Sequence, residues 1–278
     1  MSIRTKVLSY NIRTKVLSYN IRTKVLSYMS RPDPITTMEL LKGLLNLIYP
    51  PRCLICGKLL EDNDGLCPKC FQGIEIIKHP CCNICGKPLQ PESFIGIDDP
   101  VCFDCRKRKF FFNYARSIGK YKGILKECIH LLKYKGKKVL LKPLDKLIKT
   151  CLDELIPFEK ISFITQVPLH KKRLRERGFN QSGLIAGLIG NRYQIPVLSN
   201  LLNRIVYTPP QATLTKVERL RNIKGVFAVV GTPSWVECGT ILLIDDVYTT
   251  GATVNECAKV LKKAGAQEVY VLTLAHGI

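Results

Sequence analysis

The apolar positions of this chain fall into two kinds of run. Four consecutive aliphatics, Ile241 to Ile244, show no polar alternation, which predicts a strand covered on both faces in a parallel sheet. From about Thr253 to Ala264 the spacing changes: Val254, Cys257, Ala258 and Leu261 recur at helical intervals, and Gly265 supplies the stop. Ile161 to Val167 predicts a second strand. Gly178 and Asn180 mark a shaped turn into a helix near Ser182 to Ile189, and Met38 to Tyr49 reads as a short amphipathic helix.

One stretch has no usable pattern. Residues 3 to 28 repeat a nonapeptide, Ile3 to Asn11, then Ile12 to Asn20, then Ile21 to Tyr28. Nine residues turn successive copies to opposite sides of a helix or a strand, so no continuous core face results. Such a segment is expected to be a disordered tail, or translated tandem DNA upstream of a start at Met29 or Met38. Its cations, among them Arg4, Lys6 and Arg13, leave open a basic arm.

The polar residues that follow the Ile241 strand carry the chemistry. Asp245 and Asp246 emerge at its carboxyl end, where open α/β sheets bind ligands. Thr249, Thr250, Gly251 and Thr253 then lead into a helix, offering backbone N–H groups and hydroxyls at the positive end of its dipole. A phosphate fits that loop, and carboxylates beside it call for hydroxyl donors or a divalent cation on the same ligand. A sugar phosphate meets both demands; a surface turn capped by the two acids is the plainer alternative. The segment resembles the phosphoribosyl pyrophosphate (PRPP) motif of type I phosphoribosyltransferases, a hydrophobic strand, two acids and a Thr-Thr-Gly-x-Thr loop, with Tyr248 the idiosyncratic position. That resemblance implies ribose hydroxyls on Asp245 and Asp246. It also implies a 5′-phosphate held by the loop from Val247 and Tyr248 through Thr249, Thr250, Gly251 and Ala252 to Thr253.

Composition bounds the rest. With 278 residues, 46% of them hydrophobic and 23% charged, the chain can build one substantial core and a smaller module. No apolar stretch approaches the roughly 18 residues that span a bilayer, and no secretory leader is evident, so membrane insertion is not expected and a cytoplasmic location is. The formal charge of +21 favours polyanionic partners, although a solvated basic surface gives the same number.

Thirteen cysteines include four CxxC pairs: Cys53/Cys56, Cys67/Cys70, Cys82/Cys85 and Cys102/Cys105. Two such turns converge four sulfurs on one tetrahedral ion, so two structural Zn²⁺ ions are expected. Sequential pairing into two ribbons is favoured by the short spans, with a cross-braced pairing still open. Gly57 and Gly86 suit the knuckle turns. Full thiolate shells leave no position for a reacting water, which assigns the module to stability. Cys128, Cys151, Cys238 and Cys257 read as packing residues. The run Arg106 to Lys109, followed by Phe110, Phe111, Phe112 and Tyr114, suits single-stranded DNA, or else begins the core of the next domain.

Ile161 to Val167 delivers Pro168 and Leu169 into Lys171 to Gln181, where five cations, Arg175 and Arg177 among them, meet a pyrophosphate if clustered at the strand end or form only a solvated face if on a helix. Gln211, Leu214, Glu218, Arg219, Asn222, Gly225 and Phe227 form a further block that is hard to explain as core. Taken together, Tyr-Pro-Pro-x-Cys at 49–53, Leu-Lys-Tyr at 132–134, Arg-Gly-Phe-Asn-Gln at 177–181, the 211–227 block and the acidic loop resemble the ComF/GntX-type family of competence-associated, phosphoribosyltransferase-like proteins. Gln166 and Thr213 depart from its usual proline and glycine.

The resemblance implies an α/β, type I phosphoribosyltransferase-like fold with a mainly parallel sheet. The expected domains are a tail at 1–37, a short helix with a double zinc ribbon at 38–109, and the phosphoribosyltransferase-like domain at 110–278. It implies PRPP with Mg²⁺ as ligand, Pro168 and Leu169 in the binding set, and catalytic roles for Asp245, Asp246, Arg175 and Arg177. A part in DNA uptake, with single-stranded DNA and the uptake machinery as partners, is likewise implied. A PRPP- or nucleotide-sensing adaptor that does no chemistry is the alternative; acceptor and oligomeric state are left open.

Overall fold

The structure, a computed structural model, describes residues 49–90, 99–207, 223–231 and 239–277. The chain divides into a unit of residues 1–51 and a unit of residues 52–278, and the elements below belong to the second. The nonapeptide repeats, residues 38–48 of the expected Met38 to Tyr49 helix, Cys238 and the block from Gln211 to Asn222 lie outside the described residues.

A four-stranded sheet carries the architecture. β1 (Tyr114–Lys120), β6 (Glu268–His276), β5 (Thr240–Tyr248) and β2 (Phe163–Gln166) lie in that order, every pair parallel. The unbroken aliphatic run of β5 is its cause: Ile241, Leu242, Leu243 and Ile244 are each fully buried. Successive side chains point to opposite faces. Leu242 and Ile244 therefore enter one core, and Ile241 and Leu243 the other.

The first core is closed by three helices, α3 (Gly123–Lys135), α4 (Leu141–Leu155) and α6 (Gln181–Tyr193), which bury such residues as Leu132, Leu147 and Ile189. Each such side chain contributes roughly 1.5–3 kcal/mol. The second core is closed by α7 (Ala252–Lys263), through Val254, Cys257, Ala258 and Leu261, and by the antiparallel pair β3 (Leu202–Arg204) and β4 (Phe227–Val229). The helical spacing expected for 253–264 is thus the buried stripe of α7. Burial pushes the Cys128 thiol up to about 12 and the Cys257 thiol well above its ordinary value, as suits packing residues kept protonated.

The ribbons flank the sheet. α1 (Pro68–Gln72) belongs to the first and α2 (Phe103–Arg106) to the second. Cys53, Cys67 and Cys70 join the core under α3 and α4, whereas Cys82, Cys85, Cys102 and Cys105 join the opposite core. Both ribbons also bond to the edge strand β1: Lys120 N donates to Glu75 O at 2.8 Å, and Ala115 N to Ile84 O at 2.7 Å. Gly86 makes the second approach possible. Its φ of +71° suits the knuckle, and any Cβ would stand 2.8 Å from Ala115 O. Among the described residues no helix is long and apolar enough to cross a membrane.

Candidate functional site

β5 extends past its aliphatic run and carries Asp245 and Asp246 to the carboxyl edge of the sheet, in a cleft of about 480 Å³. α6 starts beneath them because Asn180 caps it, its Oδ1 accepting from Ser182 N at 3.1 Å while its Nδ2 donates to Val167 O at 3.0 Å. That placement aims two side chains at the acids. Ser182 Oγ donates to Asp245 Oδ1 at 3.1 Å, and Gln181 Nε2 to Asp246 Oδ2 at 3.1 Å. From the opposite side Lys133 of α3 forms an ion pair with Asp246.

A chain of polar contacts continues outward. Gln181 Oε1 accepts from Arg177 Nη1 at 2.6 Å, and the Arg177 guanidinium lies 5.4 Å from the centre of the Tyr134 ring. Arg177 ends α5 (Lys171–Arg177), which stops where Gly178 turns left-handed with φ +78°. α5 presents Arg173 and Arg177, four residues apart, to the cleft. Arg175, two residues from each, falls on another face and is not among the lining residues.

Of the run singled out in the sequence, Asp245, Asp246, Val247, Thr249 and Thr253 line this cleft, as do Pro168 and Leu169. Tyr248 and Thr250 line a different cavity, across the loop. Gly251 is the N-cap of α7 with φ +74°, packed so tightly that a Cβ would overlap the Tyr248 hydroxyl. Sequence reasoning assigned no role to Lys126, Lys133, Tyr134 or Arg204, which also face the cleft. The Leu-Lys-Tyr block was a signal for two of them, but only the position of α3 over the end of β5 gives that block a meaning.

The electrostatics follow from burial. Desolvation pushes Asp245 up to about 6, against the pull of Lys133, the Ser182 hydroxyl and Arg204. Desolvation lowers Lys133 to about 8, Asp245 opposing and Arg177 assisting. Burial likewise lowers Arg177 and Arg204. Two carboxylates at the floor and arginines at the rim suit a ligand with hydroxyls at one end and multiple negative charges at the other.

The cysteines assemble as two sequential tetrads, Cys53/Cys56/Cys67/Cys70 and Cys82/Cys85/Cys102/Cys105, the donor atoms of each within 4.8 Å of one another. Cys56 and Cys67 Sγ are 3.7 Å apart, and Cys85 and Cys102 Sγ 3.8 Å. Sulfurs at tetrahedral corners around Zn²⁺, with Zn–S near 2.3 Å, are about 3.8 Å apart, so the donor sets fit zinc. Backbone N–H groups support the sulfurs, Cys70 N on Cys67 Sγ at 3.4 Å and Cys102 N on Cys82 Sγ at 3.3 Å. The aromatics after the second tetrad divide: Phe112 is core, Tyr114 stacks on Tyr270, and Phe111 stays exposed.

Comparison with known proteins agrees with the two cysteine tetrads. A family model for the double zinc ribbon domain matches residues 44–106. Competence protein F of Haemophilus influenzae is 29% identical over 229 residues, 81% of this chain and 96% of that protein. Competence protein ComFC of Bacillus subtilis is 28% identical over 80% of this chain and 93% of its own length. DNA utilization protein YhgH of Escherichia coli K12 is 27% identical over 81% and 89%. Among solved structures, adenine phosphoribosyltransferase from Leishmania donovani covers 51% of this chain and 68% of its own at 15% identity and a TM-score of 0.25.

Proposed function

We propose, from the chain's similarity to competence protein F and ComFC over most of its length and from its double zinc ribbon, that it is a PRPP-binding protein of the phosphoribosyltransferase type, serving the uptake or use of DNA. One observation carries the reading: Asp245 and Asp246 sit at the floor of a cleft rimmed by Arg173, Arg177 and Arg204. In this reading the carboxylates accept hydrogen bonds from the ribose hydroxyls. Thr249 and Thr253 meet the 5′-phosphate, and the arginines meet the pyrophosphate.

Asp246 already accepts from Lys133 and Gln181, so a Mg²⁺ ion would be held chiefly by oxygens of the ligand it accompanies. Turnover would break the C1–O bond to pyrophosphate as the acceptor bonds to C1. The floor carboxylates stabilise positive charge growing on the sugar, and Arg173 and Arg177 the negative charge of the leaving group. Arg175 keeps a long-range electrostatic part in this reading.

Calorimetric titration of PRPP with Mg²⁺, parent against Asp245→Asn/Asp246→Asn, tests it. Binding by the parent and its loss in the variant are expected; a parent that does not bind PRPP overturns the proposal. Pyrophosphate release with an acceptor panel then separates an enzyme from a sensor. For a DNA partner, affinity must fall steeply with salt.

A further inference from the structure

Tyr248, the one idiosyncratic position of the acidic loop, turns away from the cleft. Its ring is 4% exposed and stacks on His276, centroids 4.9 Å apart and planes 26° from parallel, with Phe112 edge-on at 6.4 Å. It forms a wall of a second cavity of about 470 Å³, between the second ribbon and the back of the Thr249–Thr250 segment. Phe110 and His276 supply further aromatic wall, and half-exposed Lys87 and Arg108 supply charge. His276 is 3% exposed, and its Nδ1 is 2.8 Å from Gly277 O. Arg108 Nη1 donates to Thr250 O at 3.1 Å, which fixes the guanidinium at this wall.

We propose that this cavity is a binding site for a nucleoside phosphate, the base lying among Phe110, Tyr248 and His276 and the phosphate beside Lys87 and Arg108. Planar heteroaromatic rings stack favourably on an aromatic face, which partly buried Phe110 offers, while Tyr248 and His276, already stacked on each other, close the wall beside it. The charge pattern fixes the orientation. Asp104, Cys85, Cys102 and Cys105 also line the cavity, and a carboxylate beside four thiolates, which around Zn²⁺ leave a formal charge of about −2, repels a phosphate from that side. The uncharged base therefore faces the tetrad. Thr249 lines this cavity and the PRPP cleft alike, yet the inference stands whether or not PRPP binds.

The test is equilibrium dialysis of dAMP against the zinc-loaded full chain, with Phe110→Ala, Lys87→Glu and Asp245→Asn/Asp246→Asn variants whose zinc content and melting are checked. The parent is expected to bind dAMP and the first two variants to bind at least tenfold more weakly. The acidic-loop variant should bind as the parent does. A 5′-phosphorylated oligonucleotide that displaces dAMP identifies a strand terminus as the ligand; failure to displace identifies the free nucleotide. No dAMP binding by the parent overturns the proposal. So does binding that ignores both Phe110 and Lys87, binding abolished by the acidic-loop substitutions, or equal competition by ribose 5-phosphate.

Discussion

Lys133 and Asp246 form an ion pair at the carboxyl end of β5, the lysine side chain 17% and the aspartate side chain 8% exposed. The pair joins α3 to the strand that carries the cleft floor. With both groups withdrawn from water, losing one partner strands the other.

Lys133→Met should therefore destabilise the protein by about 3–5 kcal/mol. Asp246→Asn in the same background should recover much of that, and a double-mutant cycle in urea unfolding gives the coupling. A single-variant loss under about 1 kcal/mol would mean that water screens the pair.

Asp245 should report on pH without Lys133 being touched. Its carboxyl is pushed up to about 6 by burial, so the folded state binds a proton more tightly than the unfolded chain. The stability this contributes is fully present below about pH 4 and is lost as pH rises to about 6, by on the order of 1–3 kcal/mol at neutrality. Asp245→Asn should flatten that part of the profile and melt no lower than the parent at pH 7.5, although it removes a proposed ligand contact. Carbon-13 titration of the carboxyl gives the midpoint directly; a value near 4 contradicts the desolvated site.

Lys133 has the opposite sign. Lowered to about 8, it contributes stability that is present above its unfolded value of about 10.5 and is lost as pH falls through 8. Unfolding of Lys133→Met should lack this alkaline rise, measured between pH 7.5 and 10.5.

Gly251→Ala should cost more than about 1 kcal/mol, because the loop is left-handed there and a Cβ would overlap the Tyr248 hydroxyl and stand 2.6 Å from Cζ. Tyr248→Phe relieves only the hydroxyl overlap. The double variant should melt above Gly251→Ala and below the parent.

Each tetrad should hold one zinc ion, so Cys53→Ser and Cys82→Ser should each lower zinc content from two per chain to one. Binding energies on the order of 10 kcal/mol per site make chelation an unfolding event. The two variants should differ in place. Hydrogen exchange should rise around α3 and α4 in the first and around α7 in the second, since the tetrads join opposite cores.

What the sequence disclosed followed the strength of local signals. Ile241 to Ile244 could be little else than a buried strand, and the CxxC spacings specify tetrads whatever surrounds them. Pro168, Leu169 and the acids came together because two strands of one parallel sheet end at the same edge. Lys133 escaped because a lysine in an amphipathic helix reads as solvated until the helix is placed. In the Lys171 to Arg177 run the cations themselves were plain, but only the phase of α5 separates Arg173 and Arg177 from Arg175. Tyr248 was visible as an oddity; its direction needed the fold.

The hydrogen bond from Arg108 to the Thr250 carbonyl ties the exit of the second ribbon to the loop between β5 and α7. Ordering a loop residue costs about 1–2 kcal/mol of conformational entropy. A tether anchored in a metal-clamped module meets part of that cost when the chain folds and its zinc is loaded, before any ligand arrives. Zinc supply would then set how ready the loop is to receive a ligand, and a cell short of zinc would lose affinity at a site outside the tetrads that bind it.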